Sequence, residues 1–417
     1  MHSAAWDESF DMAGKRVAVI GIGSSAVQIL PQIAKSMVSR SSPPSFSPGT
    51  SLTCLYGIVA KKTTLFARSP TWITPQLGHH SECVIDKEYN YLPETRRRFA
   101  TDPDYLLCHR RDLANRRAEG FRASRGGRAP RQETQDSYRA SMMERLGTSE
   151  KGRAVADWII PSFPVGCRRI TPGLGFLDAL MSEDVESVWG EIDMVTAKGI
   201  RTSNGRDLDF DVIICATGFD GSYRPGFTLT GRGGVCLGQK WLDEDPECYF
   251  GTAVSGFPNY FMFLGPNSPV SNGGLVQGIQ AQGVYIYKLI EKLQTQGIKS
   301  IEVTEEAMRD YNEHTQAYMK TSVWAEGCSS WYKRGSKDGR VVAVYAGSVF
   351  HFVEMMRHPR WEDYKFEYLN LGGKPNRFGF LGNGFTEREA GNGNVGDTHT
   401  LDFEAYWNLM ELPPIYQ

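Results

Sequence analysis

The sequence predicts an α/β protein organised on a parallel sheet, and three stretches carry that expectation. Residues 14–32 (GKRVAVIGIGSSAVQILPQ) read as a strand, a glycine turn and a helix in immediate succession. Residues 63–67 (TTLFA) and 212–215 (VIIC) are short apolar runs rich in β-branched residues, as in strands covered on both faces. The chain of 417 residues is long enough for two or three domains.

Residues 1–13 precede the first strand, and their composition says only linker. In the first unit, residues 16–20 form the strand, and Gly21, Ile22 and Gly23 force a tight turn. Ser24 and Ser25 are placed to cap a helix whose apolar face is Ala26, Val27, Ile29 and Leu30. Glycines in such a turn let the backbone approach a pyrophosphate, the free N–H groups at the helix start receive its charge, and a small residue such as Ala26 allows close packing of helix on strand. Gly21, Gly23, Ser24 and Ser25 are therefore candidate dinucleotide-binding residues. A lone GxGxxA also occurs in ordinary βα units; the strand and helix around it favour the dinucleotide reading.

Residues 37–60, which include SRSSPPSFSPGTS, intrude between the helix and the return strand at 63–67. A βαβ unit ordinarily returns within about two to six residues of its helix. Two readings stand: a tolerated surface loop, or a retained intron translated in frame, favoured by the aperiodic apolar residues 52–60. Arg68 follows the return strand, where this kind of unit faces the adenosine ribose. An acidic residue there would suit NAD; a guanidinium offers a fork of donors to a 2′-phosphate, so Arg68 points to NADPH, against the alternative of a solvated arginine. Residues 14–78 form the first part of the nucleotide-binding domain, ending in a loop that Pro70 and Pro75 stiffen around Trp72.

Residues 79–160 read as a helical insertion. Residues 94–145 are arginine-rich, 134–146 are helical in pattern, and ASRGGRAPR at 123–131 breaks any longer helix. Arg96, Arg97 and Arg98 read as a solvated face. Residues 161–217 return to the nucleotide-binding domain. Pro161, Pro164 and Pro172 fix the backbone around Gly166–Arg169, and of the two adjacent arginines in so rigid a loop one suits a cofactor phosphate and the other suits developing negative charge. Residues 195–210 suggest a hairpin turning at Asn204-Gly205. The strand at 212–215 ends in Ala216, Thr217 and Gly218, at the carboxyl edge where open α/β sheets bind ligands.

In residues 218–417, a hydrophobic strand from Tyr260 is expected to enter the loop GPNSPVSNGG, with helices over 277–293 and after Thr304, and a strand then a helix in VVAVYAGSVFHFVEMM from Val341. Trp324, Trp331 and Tyr332 are expected to cluster near Cys328, and residues beyond Gly372 to be less ordered.

Composition bounds the function. A net charge of −2 argues against a nucleic-acid binder that works by phosphate neutralisation. The eight cysteines lack a CxxC pair or metal-ligand spacing, so no metal site is expected, and they read as free thiols in a reducing, cytoplasmic compartment. No apolar run reaches membrane-spanning length. Nine tryptophans and eighteen tyrosines suit a site for a large flat substrate, and core packing explains them nearly as well.

At DVIICATGFD (211–220) the sequence resembles the flavin-dependent Baeyer–Villiger monooxygenases, in particular their fungal biosynthetic members. The resemblance rests on HSAAWD (2–7), VAVIGIGSSAVQ (17–28), LFARSPTW (65–72), FPVGCRRITPG (163–173) and DVIICATGFD, with FLGPNSPVSNGG (263–274) and SWYKRG (330–335) in support. It implies a flavoprotein with two dinucleotide-binding domains, here a Rossmann-like NADPH domain, a helical insertion and, over 218–417, the C-terminal part of an incomplete FAD domain. His2, Trp6 and Asp7 resemble the end of the family fingerprint; Gly21, Gly23, Ser24 and Ser25 the NADP pyrophosphate turn; Arg68 and Arg168 the pair that reads the 2′-phosphate; Arg169 the catalytic arginine beside the flavin. The loop from Asn267 resembles the wall near the isoalloxazine and substrate. The family's first glycine turn, for FAD, would lie before Met1, which suggests a truncated chain.

The resemblance implies that NADPH reduces FAD, that reduced flavin and O₂ oxidise a ketone to an ester or lactone, and that Arg169, cationic at any working pH, stabilises the negative charge. A polycyclic, polyketide-like ketone in fungal secondary metabolism, such as mycotoxin biosynthesis, is the expected substrate class. The alternatives are an N- or S-hydroxylating flavin monooxygenase and a non-catalytic NADP-binding fragment. Oligomeric state is not legible.

Overall fold

The computed structural model describes residues 1–34, 60–74, 91–125, 128–173, 175–270, 274–371 and 373–385. Residues 37–59 of the expected insertion, Asn272, and residues 386–417 lie outside them.

The organising element is a four-stranded parallel sheet. Strand β1 (Arg16–Ile20) leads through the glycine turn into helix α1 (Ser24–Ile33), and β2 (Lys62–Ala67) returns beside β1, with Arg16 opposite Lys62 and Ile20 opposite Phe66. After a two-residue strand β3 (Ile73–Thr74) come four helices: α2 (Pro93–Thr101), α3 (Pro103–Arg125), α4 (Arg128–Leu146) and α5 (Glu150–Ile159). The helical pattern expected over 134–146 lies within α4, and α3 and α4 divide at the glycine-rich segment. Strand β4 (Thr171–Pro172), helix α6 (Phe176–Met181) and strand β5 (Val185–Trp189) follow; β5 pairs with β2 at the sheet edge. Strands β6 (Ile192–Val195), β7 (Gly199–Thr202) and β8 (Asp207–Asp209) form an antiparallel sheet. The β7–β8 turn falls at Asn204-Gly205, where Gly205 takes φ +81°. Strand β9 (Val212–Cys215) completes the order β5-β2-β1-β9.

The sheet is covered on both faces, which is why its inner strands are apolar throughout. On one side Val17, Val19 and Leu65 join Val27, Leu30 and Ile33 of α1 and Phe176 and Leu180 of α6. Met142 and Leu146 of α4 and Val155 and Ile159 of α5 enter the same core, so the helices over 128–159 pack onto the parallel-sheet unit. On the other side Ala18 and Phe66 pack under Ile200 of β7.

The C-terminal part comprises α7 (Leu237–Asp243), α8 (Leu275–Thr295), β10 (Ile298–Val303), α9 (Glu305–Met319), α10 (Val349–Met355) and β11 (Tyr364–Tyr368), which pairs antiparallel with β10. Thr304 caps α9 by accepting from the Ala307 N–H at 3.1 Å. Helices α8, α9 and α10 match expectation, but the strands expected at Tyr260 and over 341–346 do not form. Residues 341–346 are buried as irregular chain, and side chains satisfy part of their backbone: the Val341 and Val344 carbonyls accept from Asn267 Nδ2 at 3.0 and 2.9 Å. Burial drew the apolar residues there; among the described residues their strand pairing amounts to one isolated bridge, Val344 with Ser268.

Candidate functional site: the phosphate turn and the arginine loop

Three segments meet at the carboxyl edge of the sheet. The first is the glycine turn. Gly21 has φ +114°, and a Cβ there would lie 2.4 Å from the Ala216 carbonyl oxygen, so the end of β1 passes the end of β9 only as glycine. At Gly23 a Cβ would meet nothing within 4 Å, so the space over the turn is open. Gly23, with extended backbone, is the residue that begins α1, and no side chain caps the helix. This corrects the expectation that Ser24 and Ser25 cap it: both lie inside the first turn, where a side chain no longer reaches the orphan N–H groups ahead of it. The Ser24 hydroxyl instead meets the Thr171 hydroxyl, Oγ to Oγ1, at 2.9 Å. The uncapped helix start carries unsatisfied donors and the positive end of the helix dipole, with no acidic residue in its first turn.

The second segment follows β2. Arg68 is 75 % exposed, and its Nη1 lies 3.6 Å from Glu191 Oε2, the nearest ionic partner it has among the described residues. Two residues on, the Pro70 carbonyl accepts from Arg168 Nη1 at 3.2 Å, and Trp72 Nε1 donates to the Phe163 carbonyl at 3.0 Å. The loop after β2 is thereby joined to the third segment, the arginine loop at 163–173.

In that loop Gly166 takes φ +92°, Arg168 is half-buried and Arg169 exposed. Burial pulls the Arg168 pKa down from its ordinary value, yet a guanidinium stays cationic at any working pH. Its charge lies 5.9 Å from the Phe163 ring centroid. Among the described residues no carboxylate pairs with Arg168 or Arg169. The loop ends where β4 pairs parallel with β3. At Gly173 a Cβ would strike Ile73 Cγ2 at 2.4 Å and Val27 Cγ1 at 3.1 Å, so this glycine lets the loop lie down on α1.

The N-terminal segment borders the same edge. The Ser3 N–H donates to the Cys215 carbonyl at 3.0 Å, the Cys215 N–H to the Met1 carbonyl at 2.8 Å, and His2 Nε2 lies 3.0 Å from the Gly218 carbonyl oxygen. Trp6 packs against the core of the parallel sheet. Residues that read as linker by composition are thus attached to β9.

Asn267 stands apart from these segments. It is 1 % exposed, adopts φ +55°, and both donors of Nδ2 serve the backbone of 341–344, while Oδ1 has no partner. Its first task is structural; Oδ1 is the atom left over for a ligand or water.

One expectation is overturned. The eight cysteines are not all free thiols: Cys167, beside Arg168, forms a disulfide with Cys328, with Cα atoms 6.3 Å apart. Cys108, Cys215, Cys236 and Cys248 are free; Cys54 and Cys83 lie outside the described residues. The two bridged residues are 161 positions apart with no spacing motif, so only the fold brings them together. Thr171, Gly173 and Ala216 also belong to the site. For Gly173 the available signal was a glycine closing the loop at the start of a helix.

The open space over Gly23, the uncapped start of α1, and the cations Arg68 and Arg168 fit the phosphates of a dinucleotide. A separate cavity of about 640 Å³ lies between α3, α8 and α10, lined by Arg110, Gln277, Val284, Lys288, Phe350 and Val353 among others, and none of its lining belongs to the glycine turn or the arginine loop. No helix of the described residues is long and apolar enough to cross a membrane.

No protein-family model matches the chain. It is 33 % identical over 390 residues to the FAD-binding monooxygenase tazF of Aspergillus terreus, covering 92 % of this chain and 63 % of that protein. It is 29 % identical over 367 residues to a Baeyer-Villiger monooxygenase of Pseudomonas aeruginosa, covering 85 % and 60 %. The chain thus spans about six-tenths of the length of these curated relatives. Among solved structures, cyclohexanone monooxygenase from Rhodococcus sp. Phi1 bound to NADP+ superposes with a TM-score of 0.67 at 23 % identity, over 88 % of this chain and 70 % of that one. An oxidized steroid monooxygenase bound to NADP gives 0.65 at 23 %, over 88 % and 69 %. The fold is accordingly that of the flavoproteins with two dinucleotide-binding domains. In sequence the chain is similar to proteins named FAD-binding monooxygenase and Baeyer-Villiger monooxygenase, in line with that fold.

Proposed function

We propose that the chain carries the NADPH site and the catalytic arginine of an FAD- and NADPH-dependent monooxygenase that converts a ketone and O₂ to an ester or lactone. The observation that supports this most is the junction of the open glycine turn with Arg68 and Arg168, held together by the Ser24–Thr171 and Arg168–Pro70 contacts. In this reading residues 14–78 and 161–217 form the NADPH domain around the insertion at 79–160, and 218–417 belong to the FAD domain.

The start of α1, from Gly21 to Ser25, binds the NADPH pyrophosphate. Arg68 and Arg168 grip the 2′-phosphate from two loops. Arg169, exposed and without a described carboxylate partner, faces the reaction and stabilises the negative charge that develops on the substrate oxygen. Asn267 contributes Oδ1 on the flavin side. The bound flavin supplies the activation of O₂; the protein's share is orientation, charge and exclusion of water. The fungal relatives favour a polycyclic, polyketide-like ketone from secondary metabolism.

The test is product analysis. With FAD, NADPH, O₂ and a panel of cyclic and polycyclic ketones, the expected product is the ester or lactone one oxygen heavier than the substrate. Hydroxylated product alone would replace this reading with N- or S-hydroxylation. One four-stranded parallel sheet with one glycine turn among the described residues favours a second reading, an NADPH-binding chain that holds no flavin. Purification of the 417-residue chain with stoichiometric visible flavin absorbance excludes that second reading; NADPH binding with no flavin absorbance establishes it.

A further inference from the structure

The Cys167–Cys328 bridge adjoins the two arginines. Cys167 precedes Arg168 and belongs to a core with Val323, Trp324, Tyr332, Val341 and Val344, distinct from the core under the parallel sheet. The arginine loop is tied to the nucleotide side by Trp72, Pro70 and β3. On the opposite side its covalent tie to the segment 323–344 is this bridge, alongside contacts such as Gly166 against Val323, where a Cβ would lie 3.4 Å from Cγ1. We infer that the disulfide is a reversible clamp: oxidised, it fixes Arg168 and Arg169 over the phosphate turn; reduced, it lets the arginine loop leave that pose. The inference rests on the role given to those arginines above.

The surroundings suit thiol–disulfide exchange. Cys167 is fully buried and Cys328 is 2 % exposed, but Cys328 lies in a surface turn whose neighbours Glu326, Gly327 and Ser329 are exposed, so opening that turn presents Cys328 first. The Glu326 carbonyl is the junction: it accepts from Lys333 Nζ at 2.6 Å and from the Cys328 N–H at 2.8 Å, and Cys167 Sγ lies 3.2 Å from it. Lys333 is 1 % exposed and its Nζ also donates to the Lys337 carbonyl. Burial lowers its pKa, while Asp338 and Glu326 act against that. Arg131 pairs with the Glu326 carboxylate at 3.0 Å, and Lys333 Nζ and Cys167 Sγ both lie against the Glu326 carbonyl oxygen, so a thiolate at Cys167 would have the Lys333 cation nearby. Nearby cations stabilise a thiolate leaving group and speed exchange.

The step balances with a dithiol reductant. One reductant thiolate attacks Cys328 Sγ, the protein S–S bond breaks, and Cys167 leaves with the electron pair and takes a proton. The second reductant thiol then closes the reductant's own disulfide and frees Cys328 as a thiol. Two electrons and two protons pass from reductant to protein. Oxidised glutathione reverses the change, yielding two molecules of glutathione.

The experiment uses the whole 417-residue chain, oxidised or treated with dithiothreitol, with a thermal melt to confirm that both forms are folded. Peptide mapping reads the bridge, hydrogen exchange reads residues 163–172, and fluorescence titration reads NADPH affinity. If reduction leaves the loop in the binding pose about one-tenth of the time, NADPH affinity falls about tenfold. Exchange over 163–172 rises in parallel, and oxidised glutathione restores both. Cys328→Ser is expected to behave as the reduced form and to ignore both reagents. Free thiols at both Cys167 and Cys328 in the air-oxidised protein, or a bridge whose reduction changes neither exchange nor affinity, would overturn the clamp. If neither form binds NADPH, the nucleotide reading fails, and hydrogen exchange alone decides the clamp: faster exchange on reduction supports it, and unchanged exchange refutes it.

Discussion

The hydroxyls of Ser24 and Thr171 lie 2.9 Å apart although 147 residues separate them. One opens α1 and the other lies in the arginine loop two residues past Arg169, so this hydrogen bond ties the helix's positive end to that loop. Replacing Thr171 with valine keeps the shape and leaves Ser24 unpaired. A loss of about 1 kcal/mol in urea unfolding is expected, together with weaker NADPH binding. Unchanged values for both would show that the pair is idle.

The two glycines of the turn should fail in different ways. Gly21→Ala sets a Cβ against the Ala216 carbonyl and forces alanine to φ +114°, so it should destabilise the protein by about 1–3 kcal/mol. Gly23→Ala meets no atom of the protein and has an ordinary backbone, so the melting temperature should hold while NADPH binding falls. Equal melting temperatures for the two variants would contradict the packing argument.

Among the described residues Arg68 is held by an exposed ion pair with Glu191, an interaction worth little to stability. Arg68→Ala should therefore leave unfolding unchanged. It should lower NADPH affinity about tenfold or more, since a charge-assisted contact is lost, and spare NADH. Titrating both nucleotides against the variant checks this; equal losses for the two would remove Arg68 from the 2′-phosphate.

Asp211 anchors the start of β1. Its carboxylate accepts from the Arg16 N–H at 2.7 Å and from Arg16 Nη2 at 3.1 Å, and the Arg16 side chain holds its pKa down at about 2. A depressed carboxylate contributes stability above its unfolded value of about 3.9, and that contribution disappears as pH falls through the folded value. Asp211→Asn should thus be less stable than the parent at neutral pH, and the gap should close between about pH 4 and 2. Urea midpoints across that range give the answer; a gap that persists at the acid end would exclude the linkage.

The parallel strands were legible because they are covered on both faces: VAVI, TTLFA and VIIC need no alternation. Strand β5 was not, because Glu186 and Ser187 interrupt its pattern, and an edge strand buries only part of its surface. The helices α1, α8 and α9 announced themselves by period or by Thr304, whereas residues 341–346 misled, since burial makes a run apolar whether or not a ladder forms. At the candidate site, the glycine turn was legible in its spacing, Arg68 stood out by its place after the return strand, and Arg168 and Arg169 by their proline-bounded loop. Contacts across the fold could not: Ser24 with Thr171, Gly173 against Ile73 and Val27, and Cys167 with Cys328 depend on how the loops close.

Gly173 and Gly21 together bound how far α1 can stray. One admits no carbon beside Val27, the other none beside Ala216. Helix α1 is therefore wedged at two points by backbone that cannot thicken. A library randomised at 21, 23 and 173 and selected only for folding should return glycine at the first and last positions and a spread of small residues at 23. Glycine would be recovered at 23 only when the selection also demands nucleotide. Sequencing the two pools would separate what the chain needs in order to fold from what it needs in order to bind.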